Sequence, residues 1–343
     1  MAYRTLGRTG VEVSPLCLGA MMFGAWGNTD HDECLRIIER AVDGGINFID
    51  TADVYSAGES EEIVGKFLEK VGPQRRQEIV LATKFHGRMG EGPNREGNSR
   101  RWIMAECEAS LRRLRTDYID LYQIHRPSPG TDIDDTLSAL SDLVHSGKIR
   151  YFGCSTFPAW MVVEAHWVAE RRGRERLSTE QPPYSILVRG IEDDLLEVCR
   201  QFGMGVLSWS PLAGGWLSGN FGTGKTNTSR RAARIPARYD MSDPANNSKL
   251  AAVDQLAELA DKAGYSLPEL AVAFVLAHPA VTSAIIGPRT MEQFTSLEKA
   301  GEIVLDSAIL DRIDEIVPPG QDLNVVDHGW KPPWTTEAHL RRR

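Results

Sequence analysis

The sequence predicts an α/β fold of parallel strands closed into a (β/α)₈ barrel, a TIM barrel. Short apolar runs alternate with longer amphipathic ones eight times along the chain, the pattern that successive βα units produce. Of the 343 residues, 42% are hydrophobic and 25% charged, enough apolar material for a large core. At this length a closed barrel is favoured over an open sheet, so residues 1–343 are expected to form one barrel-type domain with an irregular tail from about 318.

The elements follow in order. Tyr3–Leu6 and Val11–Val13 flank Gly7-Arg8-Thr9-Gly10 and predict an N-terminal β-hairpin that caps the barrel. The eight barrel strands are expected at Pro15–Leu18, Asn47–Ile49, Ile79–Ala82, Leu121–Ile124, Tyr151–Gly153, Leu177–Glu180, Val206–Ser208 and Ser283–Ile286. Between them, Asp30–Asp43 opens on an N-cap residue and stops at Gly44-Gly45. Asn98–Leu114 sets Ile103, Cys107, Ser110, Leu111 and Leu114 on one helical face. Further helices are expected at Glu59–Leu68, Asp134–His145, Pro158–Arg171, Asp193–Phe202, Ser248–Ala263 with Leu267–Ala277, and Thr290–Ala300. Ser210–Asn247 lacks a period and is rich in Gly, Arg, Asn and Ser, so a long functional loop should follow the seventh barrel strand. The tail, with Trp330 and Trp334, either packs across the barrel or stays partly disordered.

Composition excludes several function classes. A formal charge of −8, with Arg341-Arg342-Arg343 as the only compact basic run, gives no footing for nucleic acid. The five cysteines (Cys17, Cys34, Cys107, Cys154 and Cys199) are odd in number and scattered, which argues against disulfides and a zinc site and for a reducing compartment. The N-terminus lacks the apolar stretch of a signal peptide. The longest apolar tract, Leu270 to Ile286, is broken by His278-Pro279 and reads as a buried helix and strand, not a membrane span. A cytoplasmic protein without metal, membrane or nucleic-acid partner is expected; its oligomeric state is not readable from these features.

Barrel enzymes carry their chemistry at the C-terminal ends of the strands. The second barrel strand ends in Asp50, with Tyr55 five residues on; the third ends in Lys84 and the fourth in His125. Neighbouring strands bring these four to one side of one mouth. A free phenol titrates near pH 10, and an adjacent ammonium favours the phenolate. An aspartate can hold that ammonium, and a histidine can share a hydrogen bond with a substrate oxygen. Such a group suits protonation of a carbonyl oxygen while hydride from a cofactor reaches its carbon. Singly, each residue also fits a plain role: helix cap, rim aromatic, solvated charge or core histidine. Four in register on three successive strand ends favour the chemical role.

These residues also carry a resemblance. Gly45-Ile46-Asn47-Phe48-Ile49-Asp50-Thr51-Ala52-Asp53-Val54-Tyr55, then Gly58-Glu59-Ser60-Glu61, resembles the signature of the aldo-keto reductases. Val80–Lys84 and Asp117–His125 are similar to that family's next two blocks, and the likeness runs from the hairpin to about Ala300. The resemblance implies Tyr55 as proton donor, Lys84 and Asp50 as its partners, and His125 as the residue that orients substrate. It implies Ser155 and Gln181 as ligands of a nicotinamide carboxamide, with Thr156 where the family usually has Asn, and Trp209 stacked on the nicotinamide ring. Ser210, Pro211, Leu212 and Gly214 resemble the loop beside the pyrophosphate, and Arg230 falls near a basic residue that contacts cofactor. Gly287, Arg289 and Gln293 follow the last strand, a common phosphate site in barrels. Arg289 there would clamp a 2′-phosphate and favour NADPH over NADH, although Ser296 and Leu297 stand where the family often has Glu-Asn.

The implied activity is NADPH-dependent reduction of a small aldehyde or ketone, in a pocket lined by Trp26, Tyr55, Phe85, His86 and the segment 88–98. Trp26 and Phe85 equally fit core or rim packing. His86, Arg88 and Arg95 fit either an oxygen-rich or anionic substrate or a solvated loop. The alternative is a cofactor-sensing regulatory subunit, because channel-associated β subunits share the fold; those tend to carry Asn in place of His125. Gly219-Asn220-Phe221-Gly222-Thr223-Gly224-Lys225-Thr226 satisfies a P-loop pattern, but a P-loop needs a strand directly before it and a helix after. Trp209 ends the preceding strand ten residues too early, and Asn227–Arg231 has no apolar helical face. This segment is expected to belong to a cofactor lid instead.

Overall fold

The computed structural model describes residues 2–224 and 235–342. Eight parallel strands close into a barrel: β3 (Leu16–Gly19), β4 (Phe48–Asp50), β5 (Val80–Phe85), β6 (Ile119–Ile124), β7 (Ile149–Ser155), β8 (Thr179–Gln181), β9 (Gly205–Trp209) and β10 (Val281–Ile286), with β10 pairing both β3 and β9. Each overlaps a segment expected from apolar runs. Their side chains alternate between two cores, as period-2 strands require. Cys17, Phe48, Ala82, Leu121, Leu207 and Ile285 fill the bore, while Leu18, Ile49, Leu81, Tyr122, Phe152 and Ile286 face the helices.

The hairpin of β1 (Arg4–Thr5) and β2 (Glu12–Val13) seals the end of the bore away from the strand C-termini. Leu6 and Val13 enter the inner cluster, and the Arg4 guanidinium donates to the carbonyls of Val281 (2.9 Å) and Leu276 (3.2 Å). Gly7, at φ +55°, passes so close to Gly203 and Gly205 that a Cβ would meet backbone at 2.7 Å.

The outer helices are α1 (His31–Asp43), α2 (Glu59–Arg76), α3 (Arg100–Leu114), α4 (Ile133–His145), α5 (Ala159–Arg172), α6 (Leu195–Phe202), α7 (Pro244–Ala263), α8 (Leu267–Ala277), α9 (Met291–Leu297) and α10 (Ser307–Ile316). Caps set several starts: Asp30 accepts from Glu33 N, Ser99 from Trp102 N, and Ser266 forms a capping box with Glu269. Two differences from expectation are informative. α2 runs on past Leu68 to Arg76 through a kink at Gly72 (φ 77°) and Pro73. The unexpected α10 starts at the Asp306 cap and buries Ile313.

The tail packs across the mouth. Asp322 pairs with Val188, and Leu323 N donates to Leu187 O. Asp327 binds the Lys249 ammonium at 2.8 Å and the Arg238 guanidinium at 3.3 Å. Among the described residues no helix is long and apolar enough to cross a membrane, and no group of three or more His, Cys, Asp or Glu side chains could hold a metal ion. All five cysteines are free and buried.

Candidate active site

The four residues singled out in the sequence meet at the C-terminal mouth. Lys84, fully buried at the end of β5, donates from Nζ to Asp50 Oδ1 at 2.5 Å, Thr51 O at 2.8 Å and the Tyr55 hydroxyl at 3.3 Å. Burial works against its ammonium, but Asp50 and Tyr55 beside it outweigh burial and hold the Lys84 pKa above its usual value. The His125 ring meets the Tyr55 ring edge-on, with centroids 5.6 Å apart. Burial, aided by the charges of Arg126, Lys84 and His86, drives the His125 pKa well below 6.5, so its imidazole is neutral at neutral pH.

Tyr55 stands on a turn that the chain is forced to make. Ser56 (φ 49°), Ala57 (φ 57°) and Gly58 (φ 98°) are left-handed in succession. A Cβ on Gly58 would meet Arg113 Cδ at 2.8 Å. Arg113 itself is held by Glu61 (2.6 Å) and by Glu106, and Glu61 also accepts from Thr83 Oγ1 at 2.6 Å. Above the turn, Trp26 N donates to Ser56 Oγ at 3.0 Å, and the Trp26 ring lies 5.9 Å from that of Tyr55. Positive φ outside glycine recurs at His86 (126°), Thr156 (57°), Ser210 (61°) and Ala213 (49°), all just beyond barrel strands. Local strain of this kind gathers at functional sites.

Gln123 was not anticipated. Its amide donates to Asp50 Oδ2 at 3.2 Å, and the Gln181 amide reaches the same oxygen at 2.9 Å and Gln123 Oε1 at 3.3 Å. A signal existed: Gln123 lies two residues before His125 on β6, so it shares the inward face of the strand.

The expected cofactor residues fall into three groups. Ser155 and Gln181 are directly paired across β7 and β8, and Ser155 Oγ donates to Gln181 O at 2.8 Å. Thr156 Oγ1 donates to Ser155 O at 2.6 Å. Trp209 ends β9 beside them, and its buried indole Nε1 has no partner among the described residues. Gly329 of the tail lies over this pair: a Cβ there would stand 3.0 Å from Thr156 Cγ2 and 3.2 Å from Trp209 Cζ2.

In the second group, Ser210 Oγ accepts from Gly214 N at 2.7 Å and Tyr239 OH donates to Gly214 O at 2.7 Å, fixing the turn through Pro211 and Leu212. In the third, Gly287 follows β10, Gln293 turns back to accept from Arg289 N at 2.9 Å, and the half-buried Arg289 guanidinium has no ion pair among the described residues. Arg230 lies outside the described residues, as does Lys225. The hydroxyls, amide and orphaned indole N–H suit a planar carboxamide, so these residues fit a nicotinamide cofactor.

At two pocket positions the structure decides between the expected roles. Phe85 is wholly buried, with its ring 4.9 Å from that of Tyr122 in the outer core, because odd and even residues of β5 face opposite sides. Arg88 is paired with Glu96 and so is not a free charge at the mouth. The P-loop pattern behaves as expected for a non-P-loop: no strand directly precedes Gly219, and Phe221 is buried against Trp216 with ring centroids 4.6 Å apart.

Residues 15–318 match the model of the aldo/keto reductase family. The chain belongs to that family. This aldo/keto reductase is 42% identical to "Uncharacterized oxidoreductase YrpG" of Bacillus subtilis (strain 168), over 93% of this chain and 97% of the relative. It is 34% identical to "Probable voltage-gated potassium channel subunit beta" of Arabidopsis thaliana, over 92% and 97% of the two chains. It is 33% identical to "Versiconal hemiacetal acetate reductase" of Aspergillus parasiticus, over 93% and 98%. The aldo/keto reductase is therefore an oxidoreductase of a family that generally uses NAD(P)H.

Proposed function

We propose that the protein reduces an aldehyde or ketone to the alcohol with NADPH, Tyr55 delivering the proton. The observation that carries this reading is the buried Lys84 ammonium, bonded at once to Asp50 and Tyr55. Ser155, Thr156 and Gln181 would hold the carboxamide, Trp209 the ring face, and residues 210–214 the pyrophosphate. Gly287, Arg289 and Gln293, with Arg230, would meet the phosphates of the adenosine half; an Arg289 guanidinium without an ion pair among the described residues supports NADPH over NADH. The bound reduced nicotinamide supplies the hydride.

The chain's own residues do the rest. His125, neutral and beside Tyr55, donates one N–H to the substrate carbonyl oxygen and orients it. Tyr55 O–H gives its proton to that oxygen as negative charge develops there. Lys84 stabilises the phenolate left behind, and Asp50, held also by Gln123 and Gln181, keeps the ammonium in place. Trp26 and the tail screen the site from water.

The test is NADPH oxidation against a panel of aldehydes and ketones with wild type and Tyr55→Phe. Loss of at least a hundredfold in kcat is expected in the variant on every substrate the wild type reduces; equal rates would overturn the assignment of Tyr55. A second reading, a cofactor-sensing subunit with little turnover, draws on the relatives named as channel subunits. Tight NADPH binding with no turnover on the panel would favour it. We further propose a single-domain, cytoplasmic protein with a small carbonyl compound as its partner and no nucleic acid or membrane.

A further inference from the structure

We propose that Arg126 selects carbonyl substrates that carry a carboxylate or a phosphate, an assignment that rests on the reductase reading above. Arg126 follows His125 at the C-terminal end of β6 and is half-buried. Its backbone is pinned by Asn98, whose Nδ2 donates to Arg126 O at 3.0 Å and whose Oδ1 meets His86 Nδ1 at 2.8 Å. The backbone from which the side chain springs is therefore held in place.

What surrounds the guanidinium matters most. It lies within electrostatic reach of Tyr55, Glu180 and Arg238, and it lowers the pKa of both His125 and His86. A hydrogen bond from its Nη1 to the backbone carbonyl of His125 keeps the charge next to a residue that would meet a substrate. Among the described residues it has no carboxylate within ion-pair distance, and its one side-chain hydrogen bond goes from Nη1 to the neutral carbonyl of His125 at 2.6 Å. A buried or half-buried arginine normally has an acidic partner. Arg76, Arg113 and Arg189, each largely buried in this chain, all have one.

The neighbouring acid does not fill that role. Glu180 is fully buried; its carboxyl accepts from Cys154 Sγ at 2.7 Å and from Phe157 N at 3.1 Å, and burial raises its pKa to about 8. At neutral pH it is mostly uncharged. Arg238 is already matched by Asp327, and Lys84 by Asp50. Among the described residues, Arg126 therefore stands beside His125 as an unmatched, partly desolvated cation with a planar fork of N–H donors. A small anion on the substrate completes it: a carboxylate or phosphate bound there would place its carbonyl beside Tyr55 and His125.

Matched substrate pairs test this. Wild type, Arg126→Gln and Arg126→Lys are assayed with NADPH on succinic semialdehyde against butanal, and on glyceraldehyde 3-phosphate against glyceraldehyde. The first pair reads a carboxylate and the second a phosphate. Wild type should favour the charged member of at least one pair in kcat/KM. Arg126→Gln should cut that preference at least tenfold, chiefly through KM, and Arg126→Lys should restore part of it. A wild type that prefers both neutral substrates, or a preference that survives in Arg126→Gln, would overturn the proposal. If the wild type reduces nothing, the reductase reading fails. Arg126 is then judged by calorimetric titration of the NADPH-bound protein with succinate and inorganic phosphate. Binding of either one weakened at least tenfold by Arg126→Gln supports the site, and binding of neither, or equal binding, removes it.

Discussion

The Lys84 ammonium sits 3.3 Å from the Tyr55 hydroxyl while it binds Asp50 Oδ1 at 2.5 Å, all three side chains being at most 8% exposed. A charge placed there is costly to bury and costly to unpair. Lys84→Met leaves Asp50 buried without its cation, and a loss of about 3–5 kcal/mol of stability is expected in urea denaturation. Turnover should fall by about a hundredfold or more. The double variant Lys84→Met, Asp50→Leu should regain much of the stability and none of the turnover. Turnover that survives in Lys84→Met would show that the ammonium plays no part in proton transfer.

Thr156 is β-branched and left-handed, at φ 57°. Asparagine tolerates that conformation far better. Thr156→Asn should raise stability by about 1 kcal/mol and, with an amide in place of a hydroxyl, tighten NADPH binding. Urea midpoints and fluorescence titration with NADPH measure the two effects; a variant no more stable than wild type would mean that the turn holds no relievable strain.

The guanidinium of Arg289, without an ion pair among the described residues, underlies the expected cofactor preference. In Arg289→Gln the ratio of KM for NADPH to KM for NADH should rise at least tenfold, because only NADPH has a 2′-phosphate to lose contact with. An unchanged ratio would place 2′-phosphate recognition elsewhere.

His166, nearly fully buried and stacked on Phe202 with ring centroids 4.2 Å apart, has a pKa lowered to about 4, first by burial and then by the charges of Arg176 and Arg8. Below pH 6.5 the unfolded chain takes a proton on this ring that the folded chain refuses until about pH 4. Stability is therefore lost as pH falls through that window, by about 2 kcal/mol at pH 5 from this one group. Urea midpoints at pH 7.5 and 5.0 should differ less in His166→Phe than in wild type. Equal differences would assign the acid sensitivity to other groups.

Much of this was legible in the sequence, for identifiable reasons. The strands were readable because each is a short apolar run ended by polar residues, and α1 because a capping residue marks its start. Asp50, Tyr55, Lys84 and His125 were readable because strand ends all point to one mouth. Gln123 was missed because a glutamine in an apolar strand signals nothing until its neighbours are known. Phe85 stayed open between pocket and core because only the end of β5 decides it: with the strand running through Phe85, alternation after Lys84 sends the ring to the outer core. The tail was undecidable because Asp327 finds its two cations in Lys249 and Arg238, far away in sequence. Arg126 looked ordinary, since a missing partner is a property of space and not of sequence.

Asp50 is also a mechanical part. Its two oxygens accept from Lys84 on β5, Gln123 on β6 and Gln181 on β8, so one carboxylate on β4 ties four strands together, one of them across the bore. A barrel laced in this way resists splaying at the end where its loops are longest. Those loops can then change length and composition while the tyrosine, lysine and carboxamide-binding residues stay in register, which lets one chassis be refitted for different substrates.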